Sequence, residues 1–171
     1  HCPSSNLLLG SGFCPTKDLL ELGVNVALGT DGSASNNGID LLSEAALAES
    51  LIKGIAQDAS VYRASNALGM TTINGARALG LERRIGSLEV GKDADFIAFD
   101  TRHPAIEPMI DPFRSIISNS GARCISYVYA KGKPLIENGI CVTTDLADLR
   151  ERAADWRGGK VFREIDGRAY N

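Results

Sequence analysis

The chain has 171 residues, 44% of them hydrophobic, and a formal net charge of −3. That is enough apolar material for a sizeable core and argues against disorder. Its scattered Lys and Arg residues form no basic face for nucleic acid, and its apolar runs, broken by Gly or by charge, are too short to span a membrane.

The opening segment His1-Cys2-Pro3-Ser4-Ser5-Asn6 reads as the interior of a longer polypeptide. Residues 1–14, rich in Ser, Gly and Asn, are expected to form a loop following a strand end. Pro15 suits the first turn of a helix over residues 16–22, and Gly23 sits where its C-cap belongs. Val24-Asn25-Val26-Ala27-Leu28 is a short apolar run of the kind buried on both faces of a parallel sheet. Gly29 to Gly38 reads as a polar loop. Leu41, Leu42, Ala45, Ala48, Leu51 and Ile52 then recur at helical spacing up to a break near Gly54. Ser60 suits the N-cap of a helix running to Leu68, and residues 71–79 form another, ended by Gly80. A strand between helices is half of a β/α repeat.

From Ile85 the texture changes to turn-rich sequence followed by short apolar runs. Strands are expected at residues 96–99 and 124–129, with Lys131-Gly132-Lys133 turning the second into Pro134-Leu135-Ile136. Asn138-Gly139 is a strong hairpin signal before Ile140-Cys141-Val142. Asp145 to Trp156 resembles a terminal amphipathic helix, docked by Leu149 and Trp156, with a polar tail from Arg157 that frays. The division expected is residues 1–82 as α/β and residues 83–171 as a small mixed β-domain.

The segment Leu28-Gly29-Thr30-Asp31-Gly32-Ser33-Ala34-Ser35-Asn36-Asn37 is the most informative for chemistry. An acid in the loop at the C-terminal end of a parallel strand stands where β/α barrels keep their active sites. There it can ligate a metal ion or accept a proton from water. The plainer alternative is an Asx-type turn in which Asp31 caps backbone N–H groups. Ser33 and Ser35 lack a Gly-x-Ser-x-Gly elbow and a base, so loop hydrogen bonding is their expected role. Lys92 has no phosphate-loop context and reads as a solvated turn residue. His103, before Pro104, reads as a surface histidine. Cys2, Cys14, Cys124 and Cys141 show no Cys-x-x-Cys pair and are expected to be free thiols, with a Cys2–Cys14 disulfide as the alternative.

Three ordered pieces carry a resemblance: His1-Cys2-Pro3-Ser4-Ser5-Asn6-Leu7, Gly29-Thr30-Asp31-Gly32-Ser33-Ala34-Ser35-Asn36-Asn37 and Ile85-Gly86-Ser87-Leu88-Glu89-Val90-Gly91-Lys92-Asp93-Ala94-Asp95-Phe96. Together with Asn74-Gly75-Ala76-Arg77-Ala78-Leu79-Gly80, they resemble the amidohydrolase superfamily, in the branch of methylthioadenosine/S-adenosylhomocysteine deaminases and triazine hydrolases. The resemblance implies the C-terminal part of a (β/α)8 metal-dependent hydrolase barrel plus part of a small composite β-domain. It implies one divalent zinc ion per active site in the full-length enzyme and a small heterocyclic substrate. The missing N-terminal part of the barrel is the implied partner, self-association into a homo-oligomer is expected, and the location expected is cytoplasmic.

The reaction implied is hydrolytic deamination of adenosine-type substrates, with a triazine-type chlorohydrolase or other cyclic C–N hydrolase as the alternative. A non-catalytic binding module is the alternative from another class. Asp31 matches the family's last metal-binding acid, which also shuttles the proton of the attacking water, and so contacts substrate. Ser35, Asn36 and Asn6 are implied to line the pocket, and His1 belongs to a pocket-shaping motif. The family's His-x-His, its two later histidines and the accompanying Glu have no counterpart here, and neither His1 nor His103 matches a ligand position. One carboxylate does not make a catalytic zinc site, which takes about three protein ligands. The chain alone is therefore expected to be inactive.

Overall fold

The structure is a computed structural model that describes residues 1–158, apart from the side chains at 120–121 and 156–158. The first element is a helix, α1 (Pro3–Leu8), within the segment expected to be a loop. Pro3 lies in its first turn, where a missing N–H is harmless and the fixed φ suits a helix. The Ser4 N–H is taken by Glu44, 40 residues away, a tertiary contact that local composition does not announce. Helix α2 (Thr16–Glu21) follows at its expected place, and Gly23 at φ 76° turns the chain out of it.

Residues 24–28 are extended but do not form the regular strand expected of them. On one edge the terminal amine of His1 donates to the Ala27 carbonyl at 2.9 Å, and the Gly29 N–H donates to the His1 carbonyl at 3.0 Å. Two bonds from one residue flanking Leu28 are the unit of parallel pairing, here one residue long. On the other edge the partners are helical: Leu28 N–H donates to the Met70 carbonyl at 3.1 Å, and Asn74 Nδ2 to the Val26 carbonyl at 3.0 Å.

Helix α3 (Leu41–Ala56) begins at Asp40, whose carboxylate accepts from the N–H groups of Leu42 and Ser43. It runs through Gly54, the expected break, and ends at Gln57 in a left-handed conformation. One interior glycine weakens a helix by only about 1 kcal/mol, and the Glu49–Lys53 ion pair braces the last turns. Ser60 is not an N-cap. Asp58 captures both its N–H and its hydroxyl at 2.7 Å, and helix α4 (Ala64–Thr71) begins only after Arg63. Helix α5 (Ile73–Ala78) is the second half of that pair, separated from α4 by the non-helical Thr72.

Strand β1 (Phe96–Phe99) opens a four-stranded antiparallel sheet with β2 (Ile125–Ala130), β3 (Lys133–Glu137) and β4 (Ile140–Cys141) in the order β1-β2-β3-β4. Among the described residues this sheet is antiparallel throughout rather than mixed. Phe96 stacks on its cross-strand partner Tyr129 with ring centroids 4.8 Å apart. Both hairpins turn on two residues with positive φ, Lys131-Gly132 and Asn138-Gly139, as two-residue turns that match strand twist require.

Between β1 and β2 lie helix α6 (Pro112–Arg114), a π-helical turn (Ser115–Ser120) and a 3-10 turn (Gly121–Cys124), none of them anticipated. The signal was present in Asp111-Pro112, an N-cap residue followed by proline at the first helical position.

The core joins both halves of the chain. Val26, Leu42, Ala45, Ile52, Tyr62, Ala67, Met70 and Ile117 form one buried cluster, with Phe99 and Ile125 packed against it. The return loop closes against α5 at Gly86, φ 91°, where an added Cβ would stand 2.7 Å from the Ala76 Cβ. Helix α7 (Leu146–Gly158) forms as expected but does not dock through Leu149, which is exposed. Asp148, Arg150, Glu151, Arg152 and Asp155 leave that helix no continuous apolar face. The docking assigned to the Trp156 side chain and the tail beyond Gly158 lie outside the described residues. No described helix is long and apolar enough to cross a membrane.

Removing the cap of α3 tests how the helix start is held. Burial pushes the Asp40 carboxyl up, but bonds from the Ser43 hydroxyl and the N–H groups of Ser43 and Leu42 outweigh it, and the net direction is down. A carboxyl lowered in the folded state contributes stability above its unfolded pKa and loses it as pH falls through the folded value. Asp40→Ala is expected to lower stability by about 1 kcal/mol near neutral pH. The gap to the parent should close in acid, as read by urea denaturation at both pH values.

Candidate active site

Asp31 follows the extended segment directly, two residues beyond Gly29, with a left-handed backbone at φ 60°. Aspartate tolerates this region better than branched residues do. Its side chain is exposed and doubly bonded: Oδ2 accepts from the Ser5 hydroxyl at 2.7 Å and Oδ1 from the Gly32 N–H at 2.7 Å. The Ser5 hydroxyl does most to hold the Asp31 carboxyl below the usual carboxylate range, with the Gly32 N–H and Ser35 adding to it. The group is therefore an anion at neutral pH.

The other expected site residues lie around it in different roles. Ser35 folds its hydroxyl back onto the Gly32 carbonyl at 3.1 Å. Asn36 is buried, and its polar atoms serve the loop: Nδ2 donates to the Thr30 carbonyl at 2.8 Å and to Glu44 at 2.7 Å, while Oδ1 accepts from the Gly38 N–H at 3.2 Å. Asn6 lies on α1, with Nδ2 3.5 Å from His1 Nδ1. His1 thus joins the site region through both its backbone and its ring.

Ser33 is exposed. His103 is half-buried, and its Nδ1 accepts from the Ala105 N–H, so it is a turn-forming residue rather than a solvated one. Lys92 is likewise tied into its turn by Ser87 and Glu89. All four cysteines are free thiols.

Sequence reasoning passed over two residues that matter here. Ser5 bonds Asp31 directly, and Glu44 bonds both Ser4 and Asn36. Among the described residues no group of three His, Cys, Asp or Glu side chains is placed to hold a metal ion. Asp31 fits the part of one anionic ligand, and the described residues supply no complete set around it. Two clefts, of about 500 and 540 Å³, open elsewhere on the molecule. The first is lined by His1, Phe13, Cys14, Leu51 and Ile55 among others, and the second by Lys53, Tyr62, Arg63, Phe113 and Arg114 among others. Asp31, Ser35, Asn36 and Asn6 line neither.

Asp31 is an ionised acid in the loop that follows an extended apolar segment, next to an α/β core. Residues 1–135 match the amidohydrolase family, and the chain belongs to it. Over 157 residues it is 43% identical to a 5-methylthioadenosine/S-adenosylhomocysteine deaminase of Teredinibacter turnerae, covering 92% of this chain and 36% of that protein. Among solved structures it is similar to a zinc-bound adenosine deaminase from Xanthomonas campestris, with a TM-score of 0.88 and 42% identity over 92% of this chain and 36% of that one. It is also similar to an atrazine chlorohydrolase of Arthrobacter aurescens complexed with zinc, with a TM-score of 0.84 and 29% identity over 91% of this chain and 34% of that one. These matches fall in the branch that the motifs resemble. The chain spans little more than a third of the length of the curated relatives it matches.

The Ser5 hydroxyl gives the site a direct test. In Ser5→Ala the Asp31 carboxylate loses its strongest bond, and its titration midpoint should move up toward the usual carboxylate range. Carboxyl ¹³C chemical shifts followed through an acid titration report this, and an unmoved midpoint would remove Ser5 from the site.

Proposed function

We propose that this chain is the C-terminal share of a zinc-dependent hydrolytic deaminase acting on adenosine-type substrates. The observation that carries the reading is the placement of Asp31, ionised and exposed at the end of the segment that His1 pairs with, in a chain of the amidohydrolase family. In this reading residues 1–82 supply the last strands and helices of a (β/α)8 barrel, and residues 83–171 supply the C-terminal share of a composite β-domain. The exposed apolar side chains of Leu22, Val24, Ile39, Leu79 and Ile110 fit a chain that packs against further polypeptide.

A zinc ion bound at this site would acidify a water molecule and so make a nucleophile available at neutral pH. Asp31 would be one of its ligands, and the remaining ligands would come from the rest of the enzyme. The chain's own part in the reaction is then specific. Asp31 accepts a proton from the attacking water and hands it on. The water oxygen bonds to the ring carbon, and the exocyclic amine leaves as ammonia. Ser5 orients the Asp31 carboxylate through its hydroxyl, and Asn6, Ser35 and Asn36 form the wall around it, Asn36 by shaping the loop.

Identity favours a deaminase over a triazine chlorohydrolase, at 43% against 29%. Membership of the amidohydrolase family favours an enzyme over a stand-alone binding module. We also propose self-association of the full enzyme and a cytoplasmic location, both of which rest on family resemblance.

Two outcomes are expected. The 171-residue chain alone should hold zinc only weakly and should not deaminate, because it offers one ligand where a catalytic site takes about three. Stoichiometric zinc by elemental analysis after dialysis would show a ligand set within the chain. In the full enzyme, Asp31→Asn keeps the shape and an acceptor oxygen but loses charge and basicity. Zinc affinity should drop, and turnover of adenosine-type substrates at saturating zinc should drop about 10²–10⁴-fold. Turnover near the parent level would leave Asp31 as a turn residue and end the catalytic assignment.

A further inference from the structure

We propose that Glu44 is the positioning residue of this site, the group that fixes where the Asp31 carboxylate stands. The proposal rests on the role given to Asp31 above. Glu44 lies in the first turn of α3 and is only 2% exposed. Its two carboxylate oxygens go to two different segments. Oε2 accepts the Ser4 N–H at 3.0 Å, and Oε1 accepts from Asn36 Nδ2 at 2.7 Å.

Each of those partners is one step from Asp31. Ser4 adjoins Ser5, whose hydroxyl bonds Asp31 Oδ2 at 2.7 Å. Asn36 Nδ2 also donates to the carbonyl of Thr30, the residue before Asp31, at 2.8 Å. One carboxylate therefore reaches the same acid by two routes, through helix α1 on one side and through the loop on the other.

The chemistry of the position supports a role beyond filling space. A buried carboxylate is unfavourable unless its oxygens are bonded, and an apolar residue of similar volume often serves a fold equally well or better. Glu44 is buried on α3 near Ala45 and Ala48, on a side of the helix that packs into the core and also buries Glu49, whose carboxylate is paired with Lys53. Its side chain joins α3 to helix α1 and to the loop that carries Asp31. Its hydrogen bonds go to Ser4 and Asn36 and not to Asp31, so it acts through them.

The test uses the full-length enzyme and two readouts besides turnover, zinc affinity by chelator competition and thermal midpoint. Glu44→Gln keeps the size and one acceptor oxygen, but its amide group now faces a donor, either the Ser4 N–H or the Asn36 amide. Zinc affinity should fall about 10–100-fold, the range typical of groups that orient metal ligands. Turnover should fall by a similar factor with KM less affected, while the thermal midpoint falls no further than the loss of one buried hydrogen bond requires.

A folded Glu44→Gln protein with zinc affinity and turnover within about twofold of the parent overturns the proposal. So does a loss confined to the thermal midpoint. If Glu44→Gln does not fold, Asn36→Asp alone breaks the same contact from the loop side, carries the same expectation, and overturns the proposal if zinc affinity is unchanged. Should Asp31→Asn itself leave zinc and turnover intact, the functional reading falls first. Loss in Asp31→Asn with none in Glu44→Gln removes the role of Glu44 alone.

Discussion

The extended segment from Val24 to Gly29 is held on its two edges by unlike partners, and the region around Asp31 depends on that arrangement. One edge is bonded to His1 by the two-bond unit of parallel pairing. The other is bonded to the helical residues Met70 and Asn74. Buried backbone groups must find partners somewhere, and here a single strand residue and two helix residues supply them. Val26 and Leu28 pack into the core with α3 and α4, so the segment cannot slide along its axis without breaking both sets of contacts. Its far end, where Asp31 sits, is placed by the same constraint.

What could be read in the sequence was local in origin. The hairpins at Lys131-Gly132 and Asn138-Gly139 were visible because the turn itself demands those residues. Helix α2 was visible because proline and glycine bracket it. What could not be read depended on distant partners. Helix α1 is supported by Glu44 from 40 residues away. Ser60 lost its expected capping role because Asp58 captures it first. Residues 24–28 were recognised as apolar and extended, but periodicity says nothing about how many neighbours a strand will find.

The site divides in the same way. Asp31 stood out because an acid just past an apolar strand stands where β/α barrels keep their active sites, and because the surrounding motif resembles a known family. Glu44 did not, since a glutamate among helical residues such as Ser43 and Glu49 reads as solvated surface. Only its burial and its two partners reveal otherwise. Asn36 was expected to face substrate and instead spends its amide inside the loop, a choice between two uses of one side chain that spacing cannot decide.

The contact between α3 and α4 has a consequence for how this sequence can drift. Ala45 and Ala48 on α3 and Ala67 on α4 are fully buried, so none of the three positions has open space for a larger side chain. Close-packed interiors resist added volume more than they resist exchange of like for like. A larger residue at any of the three would lever the helices apart, and because α3 also carries Glu44 near its start, the displacement would be felt at its far neighbours Ser4 and Asn36 as well as locally. Mutational tolerance along this seam is therefore governed by bulk, and a substitution remote from the reacting groups that costs stability there also registers at the loop that carries Asp31.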